Sequence, residues 1–199
     1  MKRAAMILVY VVLVAGGVVS LLPFWWMVIA STHTTSELFA TPLPWLTGGE
    51  LLANLARLQE STGFARVMLN SFGIAIVYTG FSTLVSAMAG YGLAKFRFRG
   101  RGLLLGAVLL TMMIPMQVLL VPLFQMMASM GWIDTYQAVI LPFLANAFGI
   151  FLMRQAFLDF PASLFEAARI DGAGEFRIFY SVVLPGSLPQ LAALGIYTF

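Results

Sequence analysis

The chain contains no cysteine and a single histidine, and only 10% of its 199 residues are charged. The lack of cysteine excludes a disulfide framework and a thiolate metal site within this chain. The one histidine, His33, excludes a metal site built from several imidazole ligands. Soluble domains have about a quarter charged residues. The scarcity of charge, together with 61% hydrophobic residues, therefore predicts a membrane protein.

Motifs of catalysis are also missing from the sequence. It has no H-E-x-x-H zinc motif, no G-x-S-x-G nucleophile motif and no pair of carboxylates within an apolar segment. The phosphate-binding pattern G-x-x-x-x-G-K is absent as well, so any ATP would have to be bound by another protein. We therefore predict that the chain is not an enzyme and holds no metal or cofactor of its own.

The chain has instead several long apolar segments, and a helix that crosses a bilayer needs about 20 such residues. The predicted spans cover about residues 4–30, 67–94, 103–130, 137–158 and 182–199. The first run exceeds the roughly 7–15 apolar residues of a signal peptide, so we interpret it as an uncleaved span. The sequence thus predicts an all-α polytopic membrane protein: one domain, residues 1–199, with four full transmembrane helices and a truncated fifth.

Two of these segments contain residues that a simple lipid-facing anchor does not need. Ser82, Ser86 and Gly90 recur at four-residue spacing in the second span, which predicts close packing against other helices. The third span contains Pro115 and Pro122, which predict a kinked or locally unwound segment next to a cavity.

The basic residues indicate an orientation. With the predicted spans alternating in direction, nine lysines and arginines lie on one side of the membrane, and two, Arg57 and Arg66, lie on the other. The nine are Lys2, Arg3, Lys95, Arg97, Arg99, Arg101, Arg154, Arg169 and Arg177. The positive-inside rule therefore predicts that the N-terminus, the 95–101 loop and the 159–185 loop are cytoplasmic.

The longest charged interruption in the second half of the chain is Glu166–Pro185. Ser163 and Glu166 have the S-x-x-E spacing of a capping box, which predicts a helix start. Gly172 predicts the end of that helix, because glycine tolerates the left-handed turn there. Gly174 would open a second short helical piece, with Pro185 at the next boundary. We therefore expect two short helices joined by a glycine turn.

This stretch carries a family resemblance. Glu166-Ala167-Ala168, three residues, Gly172, nine residues and then Val182-x-Leu184-Pro185 resembles the EAA loop of bacterial ABC-importer permeases, which have Ile at the position of Val182. Segments 91–100, 113–115, 131–135 and 151–155 are similar to the carbohydrate-type branch. The resemblance is to the smaller maltose-transporter-type permease subunit and covers nearly the whole chain.

The resemblance implies a MetI-like permease fold with six spans in the bacterial cytoplasmic (inner) membrane, so we expect this chain to lack the last span. It implies a permease subunit that forms part of the translocation path for a sugar. The implied partners are a second homologous permease subunit, two copies of a cytoplasmic ABC ATPase that hydrolyses the ATP, an extracytoplasmic solute-binding protein and the lipid bilayer. No role for nucleic acid is implied.

The resemblance also assigns site residues. Those that would couple to the ATPase are Glu166, Ala167, Ala168, Asp171, Gly172, Leu184 and Pro185. Gln117, Gln125 and Asn146 are candidates for the substrate path, because a sugar needs polar partners for its hydroxyl groups. Alternatively, these three side chains bond between helices, and Glu166 only caps its own helix.

Several functions remain open on the sequence alone. Within the importer class, the cargo is a sugar or, alternatively, a polyol or glycerol phosphate. A second class is a membrane scaffold or small channel-like protein without an energy source. A third alternative is a truncated membrane fragment that does not transport.

Overall fold

The fold is seen in a computed structural model that describes residues 2–199, apart from the side chains of Lys2, Ala4 and Ala5. Every regular element within these residues is helical, which agrees with the expected all-α class. The chain divides into two compact units, Met1–Leu69 and Asn70–Phe199, which we call the N-terminal and C-terminal units.

The N-terminal unit contains the first apolar helix and a folded connection. Its helices are α1 (Lys2–Ser31), α2 (Thr35–Leu38) and α3 (Leu51–Thr62). Within α1, Met6–Ser31 is long and apolar enough to cross a membrane, with a mean hydropathy of 2.5. Its apolar side chains are almost all exposed.

Hydrogen bonds from the end of α1 hold the connection in place. The Gly48 N–H donates to Thr32 Oγ1 (2.9 Å), and Asn54 Nδ2 donates to the Ser31 carbonyl (2.9 Å). At α2, Thr34 and Glu37 form a capping box, in which the Thr34 N–H donates to Glu37 Oε2 (3.0 Å). That bond lowers the pKa of the Glu37 carboxyl, because it stabilises the charged form.

The C-terminal unit contains one long helix and several broken ones. Helix α4 (Phe64–Lys95), which belongs to this unit from Asn70 onward, is continuous and long enough to cross a membrane. The following elements are α5 (Arg101–Thr111), α6 (Met116–Ser129), α7 (Tyr136–Ile140), a 3₁₀ turn (Leu141–Phe143) and α8 (Ala147–Leu158). The remainder comprises α9 (Ala162–Ile170), α10 (Glu175–Ile178), a π turn (Phe179–Val183), α11 (Leu184–Gly186) and α12 (Leu188–Thr198).

Each of the last three predicted spans corresponds to a bent pair of helices. The bends are 99° between α5 and α6, 43° between the 3₁₀ turn and α8, and 79° between α11 and α12. By length and composition the described residues thus offer two continuous spans, and up to five if each bent pair is one span.

Pro115 explains the sharpest bend. It stands before α6 in an extended conformation (ψ 132°), because a proline and the residue ahead of it disfavour a continuous helix. The predicted break is therefore confirmed at this proline. Met112, three residues before it, lines a cavity of about 370 Å³, which Pro115 itself does not line. Pro122, by contrast, lies inside α6, which continues past it.

The core of the C-terminal unit forms where α4 meets α8. Ser82, Ser86 and Gly90 are buried, which confirms the predicted packing face. A Cβ atom at Gly90 would lie 2.8 Å from the backbone nitrogen of Arg154, and one at Gly149 would lie 2.6 Å from Ser86 Oγ. Only small residues allow this approach, and it fixes the position of α8 and the loop that follows it.

Candidate functional site

The 159–185 loop forms two helical pieces joined by a turn, as the sequence predicted, but α9 starts differently. It begins at Ala162, with Pro161 as the residue before it (ψ 127°) and no side-chain cap hydrogen bond. The predicted capping box of Ser163 and Glu166 is therefore wrong. A cap residue has an extended backbone just ahead of the helix, and its side chain accepts a hydrogen bond from an N–H of the first turn. Ser163 is already inside the first turn.

The end of α9 is as predicted. Gly172 has a φ of +78°, in the left-handed region. Its N–H donates to the Arg169 carbonyl (3.0 Å), and the Ala173 N–H donates to the Ala168 carbonyl (2.9 Å). This pair of bonds is a Schellman motif, which satisfies the last carbonyls of α9 and reverses the chain.

Helix α9 has an outer and an inner face. Glu166, Ala167 and Ile170 are exposed on the outer face, with Ile170 86% exposed. Phe165 is buried and Ala168 is half-buried on the inner face. A large apolar side chain beside small residues and a carboxylate makes the outer face suited to contact with another protein.

The inner face of α9 is held by the end of α4. The Phe165 ring stacks on Tyr91, with 6.2 Å between centroids, and meets Phe160 edge-on at 5.5 Å. Lys95 Nζ lies 4.5 Å above the centre of the Phe165 ring and donates to the Phe160 carbonyl (3.2 Å). The end of α4 therefore fixes both α9 and the residue that leads into it.

Glu175, at the start of α10, connects three helices. Its Oε1 accepts from Arg169 Nη2 (2.8 Å) and Nε (3.2 Å), across the glycine turn from α9. Its Oε2 accepts from the Tyr91 hydroxyl of α4 (3.0 Å). Since the Arg169 side chain is 56% exposed, that ion pair contributes about 0.2–1 kcal/mol at most. Tyr91 is buried and Glu175 is partly exposed, so their hydrogen bond is part-buried.

Tyr91 also lies at the centre of an aromatic cluster. Its ring is 5.2–6.2 Å, centroid to centroid, from four phenylalanines on neighbouring segments. These are Phe96, Phe157, Phe165 and Phe179. They bring together the loop after α4, the end of α8, the middle of α9 and the π turn, so four segments share one packed centre.

Comparison with known proteins gives this arrangement its context. Residues 82–199 match the family described as binding-protein-dependent transport system inner membrane component. The chain belongs to this family.

Individual relatives agree with that assignment. Over all of its length the permease is 37% identical to the lactose transport system permease protein LacG of Rhizobium radiobacter, covering 72% of that protein. It is 35% identical to the sn-glycerol-3-phosphate transport system permease protein UgpE of Yersinia pestis strain Antiqua, covering 73% of it. These relatives are transport proteins by name, in line with the prediction that the chain is not an enzyme.

A solved structure shares the fold. The permease superposes with a TM-score of 0.77 and 26% identity on a chain of a bacterial ABC transporter involved in the import of the acidic polysaccharide alginate. The match covers 98% of this permease and 70% of that chain. The chain therefore has the MetI-like permease fold and is a membrane permease of an ABC importer, a kind of protein that works with an ATPase and a binding protein.

The other residues predicted to couple to the ATPase lie in two places. Asp171 and Gly172 are exposed in the turn, beside the outer face of α9. Leu184 packs against the core of the permease, and Pro185 is exposed on α11. The predicted boundary at Pro185 is displaced, because the helix runs on to Gly186 and breaks at Ser187. A π turn precedes Pro185, which has no N–H to donate, and the Leu184 N–H donates to the Phe179 carbonyl.

The three candidates for the substrate path are not equivalent in the structure. Asn146 caps α8, where its Oδ1 accepts from the Gly149 N–H (3.0 Å), and it also lines the cavity of about 370 Å³. Gln117 and Gln125 are exposed on α6 and do not line that cavity. Asn146 therefore has a structural role in any case, and its place in a substrate path remains a prediction.

Sequence reasoning did not assign the residues that hold α9. Tyr91 and Lys95 were part of a family segment, and their spacing of four places both on one face of α4. That spacing, at the basic end of a span, was the one available signal. The pairing of Arg169 with Glu175 depends on the angle of the glycine turn, which residue spacing does not give.

Proposed function

We propose that this permease forms part of the translocation path for a sugar, and that α9 is the element on which a cytoplasmic ATPase docks. The observation that carries the proposal is the division of α9 into two faces. Phe165 attaches the inner face to α4, while Glu166, Ala167 and Ile170 leave the outer face open. A helix held on one side and free on the other can transfer the motion of a docked partner to the spans.

The proposed orientation places α9 and the N-terminus in the cytoplasm. The contact between Lys95 and the Phe160 carbonyl supports it, because it brings the basic 95–101 loop to the same end of the C-terminal unit as α9. A loop with four basic residues in seven is expected on the cytoplasmic side. The extracytoplasmic side would then receive the solute-binding protein.

The proposed assembly has four membrane-associated chains. A second, homologous permease subunit would pair with this one, and each permease would hold one copy of the ATPase. ATP would be bound and hydrolysed by the ATPase, because the sequence of this chain has no phosphate-binding loop.

A sugar is the preferred cargo because relatives of this permease are named for lactose and for alginate. Glycerol phosphate is the second candidate, since another relative at similar identity is named for it. Uptake of labelled lactose and of labelled sn-glycerol 3-phosphate by the assembled transporter, each with the other as competitor, distinguishes the two.

Reversal of the charge at Glu166 tests the docking surface. Glu166 is exposed, so Glu166→Lys should leave the fold intact but place a positive charge in the contact with the ATPase. We expect the amount of ATPase that co-purifies with the Glu166→Lys permease to fall by about tenfold or more. The measurement is the ATPase-to-permease ratio after affinity purification from membranes.

Glu60→Lys is the matched control, because Glu60 is also exposed and lies in the connection predicted to be extracytoplasmic. It makes the same change of charge and should leave the ratio unchanged. Full ATPase recovery with Glu166→Lys would contradict docking on α9.

A further inference from the structure

Docking moves the spans only if α9 is firmly joined to them. The chain path from α4 to α9 runs through four intervening helices and several breaks, so it is not a stiff link by itself. Two shorter paths run through space: the direct packing of Phe165 on Tyr91, and a polar path from α9 across the glycine turn to α10 and from there to α4. One side chain, Glu175, lies at the junction of all three.

Both oxygens of Glu175 are used in this junction. Oε1 accepts from Arg169 of α9, and Oε2 accepts from the Tyr91 hydroxyl of α4. A carboxylate held from two sides cannot turn toward one partner without leaving the other. The Glu175 carboxylate therefore links the two helices, and a displacement of α9 is transmitted to Tyr91.

The hydroxyl of Tyr91 is well placed to receive that displacement. Four aromatic rings surround the tyrosine ring and restrict its rotation, so the hydroxyl points in a fixed direction. A cavity of about 140 Å³ lies beside the bond. It is lined by Met88, Tyr91, Phe96, Glu175, Phe176 and Phe179. Because this space is open, the Glu175 end of α10 is joined to α4 by the hydrogen bond, whereas Ile178 at the other end of α10 is packed in the core.

We propose that Tyr91 is a positioning residue for coupling, and that its hydrogen bond to Glu175 makes α4 move together with the docking helix α9. The inference rests on the proposed docking of an ATPase on α9. It adds the route by which the motion enters the membrane. Without the hydroxyl, α9 keeps its packing contacts with α4 through Phe165 but loses the polar link, so α4 follows α9 less closely.

The experiment measures whether α9 and α4 move as one body. Since the chain has no cysteine, spin labels attach only where a cysteine is introduced. Ser163→Cys on α9 and Gly80→Cys on α4 are both exposed, and Gly80 has open space around it. The distance between the two labels is measured by pulsed electron paramagnetic resonance in the assembled transporter, with and without ATP.

In the labelled parent, the distance should be the same with and without ATP, because the two helices move together. In Tyr91→Phe, which removes one oxygen and keeps the ring, ATP should shift or broaden the distance distribution. Tyr180→Phe is the matched control: its ring lies 5.1 Å from Phe179, it is half exposed, and its loss of the same atom should have no effect.

A second variant tests the bond from the other side. Glu175→Ala removes the acceptor at a partly exposed position and leaves every ring of the aromatic cluster in place. It therefore tests the bond even where Tyr91→Phe impairs folding. It should give an ATP-dependent shift at least as large, because it also removes the acceptor of Arg169, and the double variant should give no more than Glu175→Ala alone. Uptake per ATP hydrolysed should fall about tenfold with each, as expected for a lost hydrogen bond to a charged group.

The outcomes separate this inference from the docking proposal. If the ATPase co-purifies and ATP leaves the label distance in Tyr91→Phe and Glu175→Ala unchanged, the route through Tyr91 is wrong and docking stands. If the ATPase fails to bind even the parent permease through α9, the docking proposal is wrong and the inference falls with it.

Discussion

The two units of this permease contain matched features in different surroundings. Each has a long apolar helix with glycines, a helix that ends at a glycine with positive φ, and one exposed ion pair. In the N-terminal unit, α1 has a mean hydropathy of 2.5 and nearly all of its side chains are exposed. In the C-terminal unit, α4 has a mean hydropathy of 1.6 and buries a row of small residues.

The comparison shows that hydropathy and packing are separate properties of a span. A helix that contacts only lipid needs apolar side chains of any shape. A helix that holds its neighbours needs small residues at fixed spacing, and it accepts polar ones there. In this permease α4 is of the second kind, and it carries Tyr91 and Lys95 at its end.

The largest difference should appear between Gly90 and Gly17. A side chain at Gly90 meets the backbone of α8 at Arg154 and the Cβ atom of Met153, whereas nothing lies within 4 Å of a Cβ atom at Gly17. Gly90→Leu should destabilise the permease by about 3 kcal/mol or more, since backbone cannot move aside as a side chain does. Gly17→Leu should leave stability nearly unchanged. The thermal unfolding midpoint of the chain purified in detergent measures both; equal midpoints would refute the packing role of α4.

A medium effect is expected at the two glycines that end helices. Gly172 closes α9 with φ +78°, and Gly63 closes α3 with φ +61°. Neither has an atom within 4 Å of its Cβ position, so alanine meets only the backbone cost, about 1 kcal/mol at either site. The free energy of unfolding should fall by the same amount for Gly172→Ala and Gly63→Ala. Co-purification of the ATPase should fall only for Gly172→Ala, and a fall with both would show that general destabilisation is the cause.

The smallest effect should come from the two ion pairs. Arg169 pairs with Glu175 at 2.8 Å, and Arg57 pairs with Glu50 at 3.1 Å, with similar exposure. Replacing either arginine by alanine should cost about 0.5 kcal/mol, because water screens both pairs. A loss at Arg169 several times that at Arg57, in the same unfolding measurement, would mean that Glu175 contributes to stability beyond its surface pair.

The sequence predicted the elements better than their ends and bends. The helix of α9, its stop at Gly172 and the packing face of Ser82, Ser86 and Gly90 were all foreseen, because each depends on local spacing. The capping box was expected at Ser163 and occurs instead at Thr34 and Glu37. The S-x-x-E or T-x-x-E pattern alone does not say which residue has the extended conformation that a cap requires.

Prolines show the same limit. Pro115 breaks a span by 99° while Pro122 lies inside a continuous helix, although both are flanked by apolar residues. Pro185 was expected to end a helix and instead follows a π turn, with the break two residues later at Ser187. Whether a proline bends a helix depends on what satisfies the freed carbonyls, and that partner comes from elsewhere in the fold.

By itself the sequence determined an all-α polytopic membrane protein, because composition and apolar length are local properties, and the spacing from Glu166 to Pro185 carried the resemblance to an importer permease. The tertiary structure alone decided that α9 is attached through Phe165, and that Glu175 meets both Arg169 and Tyr91. These contacts join residues up to 84 positions apart. Their geometry depends on how closely α4 and α8 approach and on the angle of one glycine turn.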